Sequence, residues 1–88
     1  MLEWDENKSQ QCLEDRGFDF SIAYDFDFTT AVIIEDDRFD YGEIRYKAFN
    51  MIGSVLYNVV FTRLGQNLRI ISIRRVHKKE GKHYGFQA

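Results

Sequence analysis

The chain has 88 residues, 16% of them aromatic, which is one small domain with a thin core that needs its large side chains inside. With no proline and one cysteine, Cys12, it has neither a Pro-rich linker nor an intrachain disulfide, and no apolar run is long enough to span a bilayer. The net charge of −2 conceals a split: residues 1–43 hold thirteen of the fourteen acidic side chains and three of the twelve basic ones, a net −10, whereas residues 44–88 carry a net +8. Such asymmetry has two readings, a charged partner or mutual attraction of the two halves within a Debye length. The polar start, MLEWDENKSQ, lacks an apolar signal core, so a reducing cytoplasm is the expected location.

Leu2-Glu3-Trp4 reads as a short edge strand. Asp5 is a suitable N-cap, Glu6 meets the helix dipole, and Arg16-Gly17 closes the helix, so a helix is predicted over about 5–16 with Cys12 and Leu13 as its apolar face. From Phe18 to Phe28 aromatic and polar residues alternate, which on period alone predicts a strand, although Phe20, Ala23 and Tyr24 also share a helical face. Ala31–Ile34 is a β-branched strand followed by an acidic loop to Gly42. Strands over 43–52, 55–63 and 68–74 follow, joined by Gly53-Ser54, which fits a two-residue type II′ turn, and by Leu64–Asn67. Residues 76–84 fit a short terminal helix that Gly81 weakens by roughly 1 kcal/mol. The sum is an α+β domain with an antiparallel sheet of about four strands.

The last strand runs straight into the most cationic segment of the chain. In Leu68–Tyr84, strict alternation sends Leu68, Ile70 and Ser72 to one face and Arg69, Ile71 and Ile73 to the other. Beyond it stand Arg74, Arg75, His77, Lys78, Lys79, Lys82 and His83 around one carboxylate, Glu80. A buried strand delivering a basic segment suits presentation of charge to a phosphate chain. The two histidines, six residues apart with no Cys or carboxylate pattern, do not make a zinc site, and there is no Gly-rich phosphate loop. Cys12 lacks a framing His or Asp and reads as a small core residue.

Three ordered motifs resemble the BrnT-type toxins, ribonucleases of bacterial toxin–antitoxin pairs with a RelE-like fold. They are Trp4, Asp5, Lys8, Gly17, Phe18 and Phe20; then Tyr41-Gly42-Glu43, Arg45, Gly53 and Arg63; then Arg69–Arg74 with Glu80 and Tyr84. The resemblance implies a short helix in place of the strand at 18–28, which makes two N-terminal helices, with a short C-terminal helix. It also implies RNA cleavage without metal or cofactor by attack of a 2′-hydroxyl on phosphorus, and neutralisation by a ribbon-helix-helix, BrnA-like antitoxin. The departures are Asp15-Arg16-Gly17 where the family usually has Lys-His-Gly, and Cys12 where it usually has Asn. Arginine binds phosphate but does not shuttle protons near neutrality.

By this resemblance the catalytic candidates are Lys8, Arg45 and Arg74 around the phosphorane, with Glu80 or Tyr84 moving the proton. Arg16, Arg63, Arg69, Arg75, Lys78 and Lys79 are expected along the RNA backbone. These side chains are expected to converge on one cleft. Structural alternatives stand beside each: Arg74 paired to the acidic half, Glu80 in a helix salt bridge, Tyr84 capping the core, Lys8 on a solvated helix face. A catalytically degenerate module binding a protein partner or RNA is the competing function. A sheet surface of Tyr46, Phe49 and Tyr57 for stacking bases is weaker, since so short a chain needs these rings inside.

Overall fold

The computed structural model describes residues 1–38 and 40–86. Five strands form one sheet in the order β1-β5-β4-β3-β2: β1 Leu2–Trp4, β2 Val32–Asp36, β3 Arg45–Ile52, β4 Val55–Leu64 and β5 Asn67–Arg75. The expected antiparallel sheet of about four strands is therefore corrected to five mixed strands. The additional member is β1, which pairs parallel to β5 from Leu2↔Leu68 to Trp4↔Ile70. Glu3 helps hold it there, accepting from Asn67 Nδ2 at 2.9 Å and from Arg69 at 3.3 Å.

Helix α1 spans Glu6–Arg16. The Asp5 carboxylate accepts from the Asn7 and Lys8 amides at 2.8 and 3.3 Å, satisfying donors the helix leaves free. Gly17, at φ +85°, ends the helix by donating to the Leu13 carbonyl, a left-handed position that favours glycine. Its buried face is Ser9 and Cys12; Leu13, expected there, is 40% exposed. Ser9 Oγ accepts from the Phe20 amide at 2.9 Å and so ties α1 to the next element.

That element is a 3₁₀ helix, Phe20–Asp25, and not the strand that alternation predicts. Phe20, Ala23 and Phe26 are buried at intervals of three, which matches three residues per turn. Asp19 caps it by accepting from the Ser21 amide and hydroxyl. The expected pair of N-terminal helices is thus one α-helix and one 3₁₀ helix. A short α2, Lys78–His83, closes the chain.

β3, β4 and β5 form the expected meander, with two-residue loops at Gly53-Ser54 and Gly65-Gln66. Gly53, at φ +60°, supplies the positive φ that a primed hairpin turn needs at its first position. Within β5 the period-2 reading fails at one residue. Phe61 pairs Ile70 and Val60 pairs Ser72, so Ile71 is extra, a β-bulge. The bulge returns Ile73 to the face of Ile70, and each is 1% exposed.

The two sheet faces differ. Cys12, Phe18, Phe20, Ala23 and Phe26 pack on Ala48, Tyr57, Val59, Phe61, Ile70 and Ile73, with α1 and the 3₁₀ helix covering that face. On the opposite face Tyr84 stacks on the fully buried Phe49 with ring centroids 4.1 Å apart. Gly81 allows this approach of α2, since a Cβ there would lie 2.6 Å from Leu56 Cδ2. Tyr57 and Phe49 are buried and Tyr46 packs against the core, so the ring surface for stacking bases does not form.

At the far edge, Asp36 is 4% exposed and receives both Arg38 Nε (2.8 Å) and Nη2 (2.9 Å). The Arg38 guanidinium holds this carboxyl at about 2, below its value of 3.8 in the unfolded chain. A depressed carboxylate stabilises the fold fully above the unfolded value, and the gain is lost as pH falls through about 2. Asp36→Asn should therefore cost on the order of 1–2 kcal/mol at neutral pH, kept small by the solvent around Arg38. The difference from the unaltered chain should narrow between about pH 4 and pH 2, read by urea unfolding at each pH.

Candidate functional site on the α2 face of the sheet

Register decides which cations share the face that α2 partly covers. Arg74 lies opposite Asn58, which lies opposite Phe49; Ser72, Val60 and Lys47 form the next row; Arg69, Thr62 and Arg45 form a third. Alternation in β3, and the bulge at Ile71 in β5, put Arg74, Lys47, Arg69 and Arg45 on this one face. Glu80 comes down onto it from α2. Arg74 donates to Glu80 through both ends of its fork, Nη1–Oε1 3.0 Å and Nη2–Oε2 2.9 Å, a bidentate pair that fixes the guanidinium plane. Arg74, with Lys47 and His77 adding to it, holds the Glu80 carboxyl below its usual range. Glu80 is therefore a carboxylate at neutral pH and a weak proton acceptor. Tyr84, the residue that ends α2, brings its ring to the same end of the face.

Arg74 and Glu80 are thus in contact, and Tyr84 stacks on Phe49, whose register row runs through Asn58 to Arg74. Arg45 is not among them. It stands four residues along β4 and two strands across from Arg74, roughly 16 Å between Cα atoms from the usual rise and strand spacing. Its guanidinium is held by Glu43 at 3.1 Å and lies 3.9 Å from the Tyr41 ring centre. Lys8 is exposed on α1, with the sheet between it and Arg74. The expected single cleft is thereby corrected to a short cluster at one end of a longer cationic row.

The backbone-binding candidates divide in the same way. Arg69 is on the row, paired with Glu3 at 3.3 Å. Arg63 lies on the other face near Tyr46, and Lys78 and Lys79 are exposed in the first turn of α2. Arg16 and Arg75 meet elsewhere. Arg75 lies 5.1 Å above the Phe18 ring and donates to the Arg16 carbonyl at 3.4 Å. With Arg74, Asp15, Phe18 and His77 they line a hollow of about 430 Å³ at the end of β5. Sequence reasoning misses Lys47 as a site residue, which alternation in β3 places beside Arg45, and His77, which it reads as part of the basic segment and rejects as a metal ligand. It also misses Asn58, 3% exposed, whose Oδ1 has no hydrogen-bond partner among the described residues.

The charge split is not consumed internally. Among the described residues four ion pairs form: Asp36–Arg38, Glu43–Arg45, Glu3–Arg69 and Arg74–Glu80. One of them, Glu3–Arg69, joins distant parts of the two halves, and Lys47, Arg75, Lys78, Lys79 and Lys82 stay outside such pairs.

The family model for the ribonuclease toxin BrnT of type II toxin–antitoxin systems matches residues 4–80, and the chain belongs to that family. The match runs from Trp4 to Glu80 and leaves Tyr84 outside it. No curated protein gives a significant match. Membership makes the chain a type II toxin with an antitoxin as its partner. Among the described residues no helix is long and apolar enough to cross a membrane.

Proposed function

We propose that this chain is a RelE-like, metal-independent endoribonuclease that acts on messenger RNA in the cytoplasm and is silenced by a ribbon-helix-helix antitoxin. The observation that carries this reading is the Arg74–Glu80 fork at the end of a row of cations on the α2 face of the sheet. An RNA strand laid along the row meets Arg45, Lys47 and Arg69, then Arg74 at the scissile phosphate. Arg74 pairs the phosphorane oxygens, and Glu80 holds the guanidinium in place for them. Tyr84 presents its phenol to the ribose or the departing oxygen. The 2′-oxygen attacks phosphorus, the P–O5′ bond breaks, and the ends left are a 2′,3′-cyclic phosphate and a 5′-hydroxyl. Arginines supply the charge in this scheme.

Expression without an antitoxin tests it: growth should stop. The purified chain should cleave single-stranded RNA in excess EDTA and leave those ends. RNA binding with no cleavage would replace this reading with that of a binding module.

A further inference from the structure

The hollow at the end of β5 holds a group that the cationic row does not explain. Three arginines, Arg16, Arg74 and Arg75, line it together with one acidic residue, Asp15, and with Phe18 and His77, around about 430 Å³. Neighbouring residues of a strand point to opposite faces, so Arg74 and Arg75 reach the hollow from both sides of the sheet's end. Each is anchored, Arg74 by the Glu80 fork and Arg75 by the Phe18 ring and the Arg16 carbonyl, so the cavity is charged before any ligand arrives. Asp15 is oriented by Gln11, whose Nε2 donates to it at 3.0 Å.

His77 occupies the N-cap position of α2, where Ser, Thr, Asp or Asn would turn its side chain back to the helix amides. Its backbone has the extended cap conformation, yet its side chain makes no cap hydrogen bond. The imidazole is exposed and borders the hollow instead. It is also close enough to influence Glu80. Of the hollow's side chains, the guanidiniums offer no acceptor, whereas a ring nitrogen of imidazole can take a proton.

We infer that the hollow receives the scissile phosphodiester of a single-stranded RNA and that His77 is the catalytic residue that takes the 2′-hydroxyl proton. This rests on the ribonuclease reading above and deepens it. As the 2′-oxygen forms its bond to phosphorus, its proton passes to the neutral imidazole. The P–O5′ bond breaks, the 5′-oxygen takes a proton from water, and the imidazolium returns its own to the hydroxide so formed. Arg74, Arg75 and Arg16 carry the phosphorane charge. The charged groups around the ring are Asp15 and Arg16 from α1, Arg74 and Arg75 from β5, and Glu80 from α2.

The test compares the intact chain with His77→Gln and His77→Ala on a single-stranded RNA in EDTA from pH 5 to 8, alongside binding of a 2′-O-methyl oligoribonucleotide that cannot react. His77→Gln should be slower by on the order of 10²–10⁴ at every pH tested and unchanged in binding. Added imidazole should restore part of the rate to His77→Ala. Equal rates and equal pH profiles in His77→Gln and the unaltered chain would overturn the role of His77 and leave the ribonuclease reading intact. Binding without cleavage by the unaltered chain would overturn both.

Discussion

Arg74→Ala should lower RNA cleavage by on the order of 10²–10³, the usual loss when one preorganised donor to a developing anion is removed. The stability change should be small, because the Arg74–Glu80 pair is open to solvent on both partners, at 39% and 33% side-chain exposure. Arg74→Lys separates charge from geometry. It keeps the cation and loses the planar fork that Glu80 holds at 3.0 and 2.9 Å, so it should resemble Arg74→Ala in rate while retaining RNA binding. Cleavage rates and unfolding curves on the same samples separate the two effects. Arg45→Ala makes the contrast. Its guanidinium serves Glu43 and Tyr41 and lies far from the fork, so it should weaken binding more than it slows the chemical step.

The second large effect belongs to the core. Ile73→Ala should destabilise the fold by about 2–5 kcal/mol, the range for truncating a buried aliphatic side chain, and Ile71→Ala by much less. Strict alternation along β5 would put Ile71 and Ile73 on one face and predict similar costs. The bulge separates them: Ile73 is 1% exposed and joins the main core, while Ile71 has no register partner and is only partly buried. Urea unfolding of the two variants measures the difference. For a domain this small the larger cost approaches the whole of its stability.

What the sequence made legible follows from which signals are local. Asp5 and Gly17 bracket α1 because capping depends on neighbours within a turn, and Gly53-Ser54 sets a hairpin for the same reason. The resemblance corrected the segment from Phe18 to Phe28, where period failed. Aromatics at every second position mimic a strand, but the ones that bury around Ala23 do so at intervals of three, and Ser9, eleven residues before Phe20, fixes the first turn. The edge strand Leu2–Trp4 was visible as a strand, but its parallel partner was not, because that pairing joins the two ends of the chain. The bulge at Ile71 left no mark either, being a property of two strands in register.

The site shows the same division. Arg74 and Glu80 were legible because six residues separate them and both lie in the one basic stretch. The distance between Arg45 and Arg74 was not, since it depends on where β3 stands relative to β5. His77 was hidden for a different reason. Its partners in the hollow, Asp15, Arg16 and Phe18, come from the acidic half, some sixty residues earlier in the chain.

The most direct measurement is an amide-resolved NMR titration of the intact chain with a single-stranded 2′-O-methyl oligoribonucleotide, which fills the site without reacting. If the α2 end of the sheet is where RNA is cut, the largest shifts fall on residues 74–84 and on Arg16 and Phe18, with smaller ones at Lys47 and Arg69. Shifts confined to the loop between Asp36 and Arg45, or to the first turn of α1, with residues 74–84 unmoved, would contradict it.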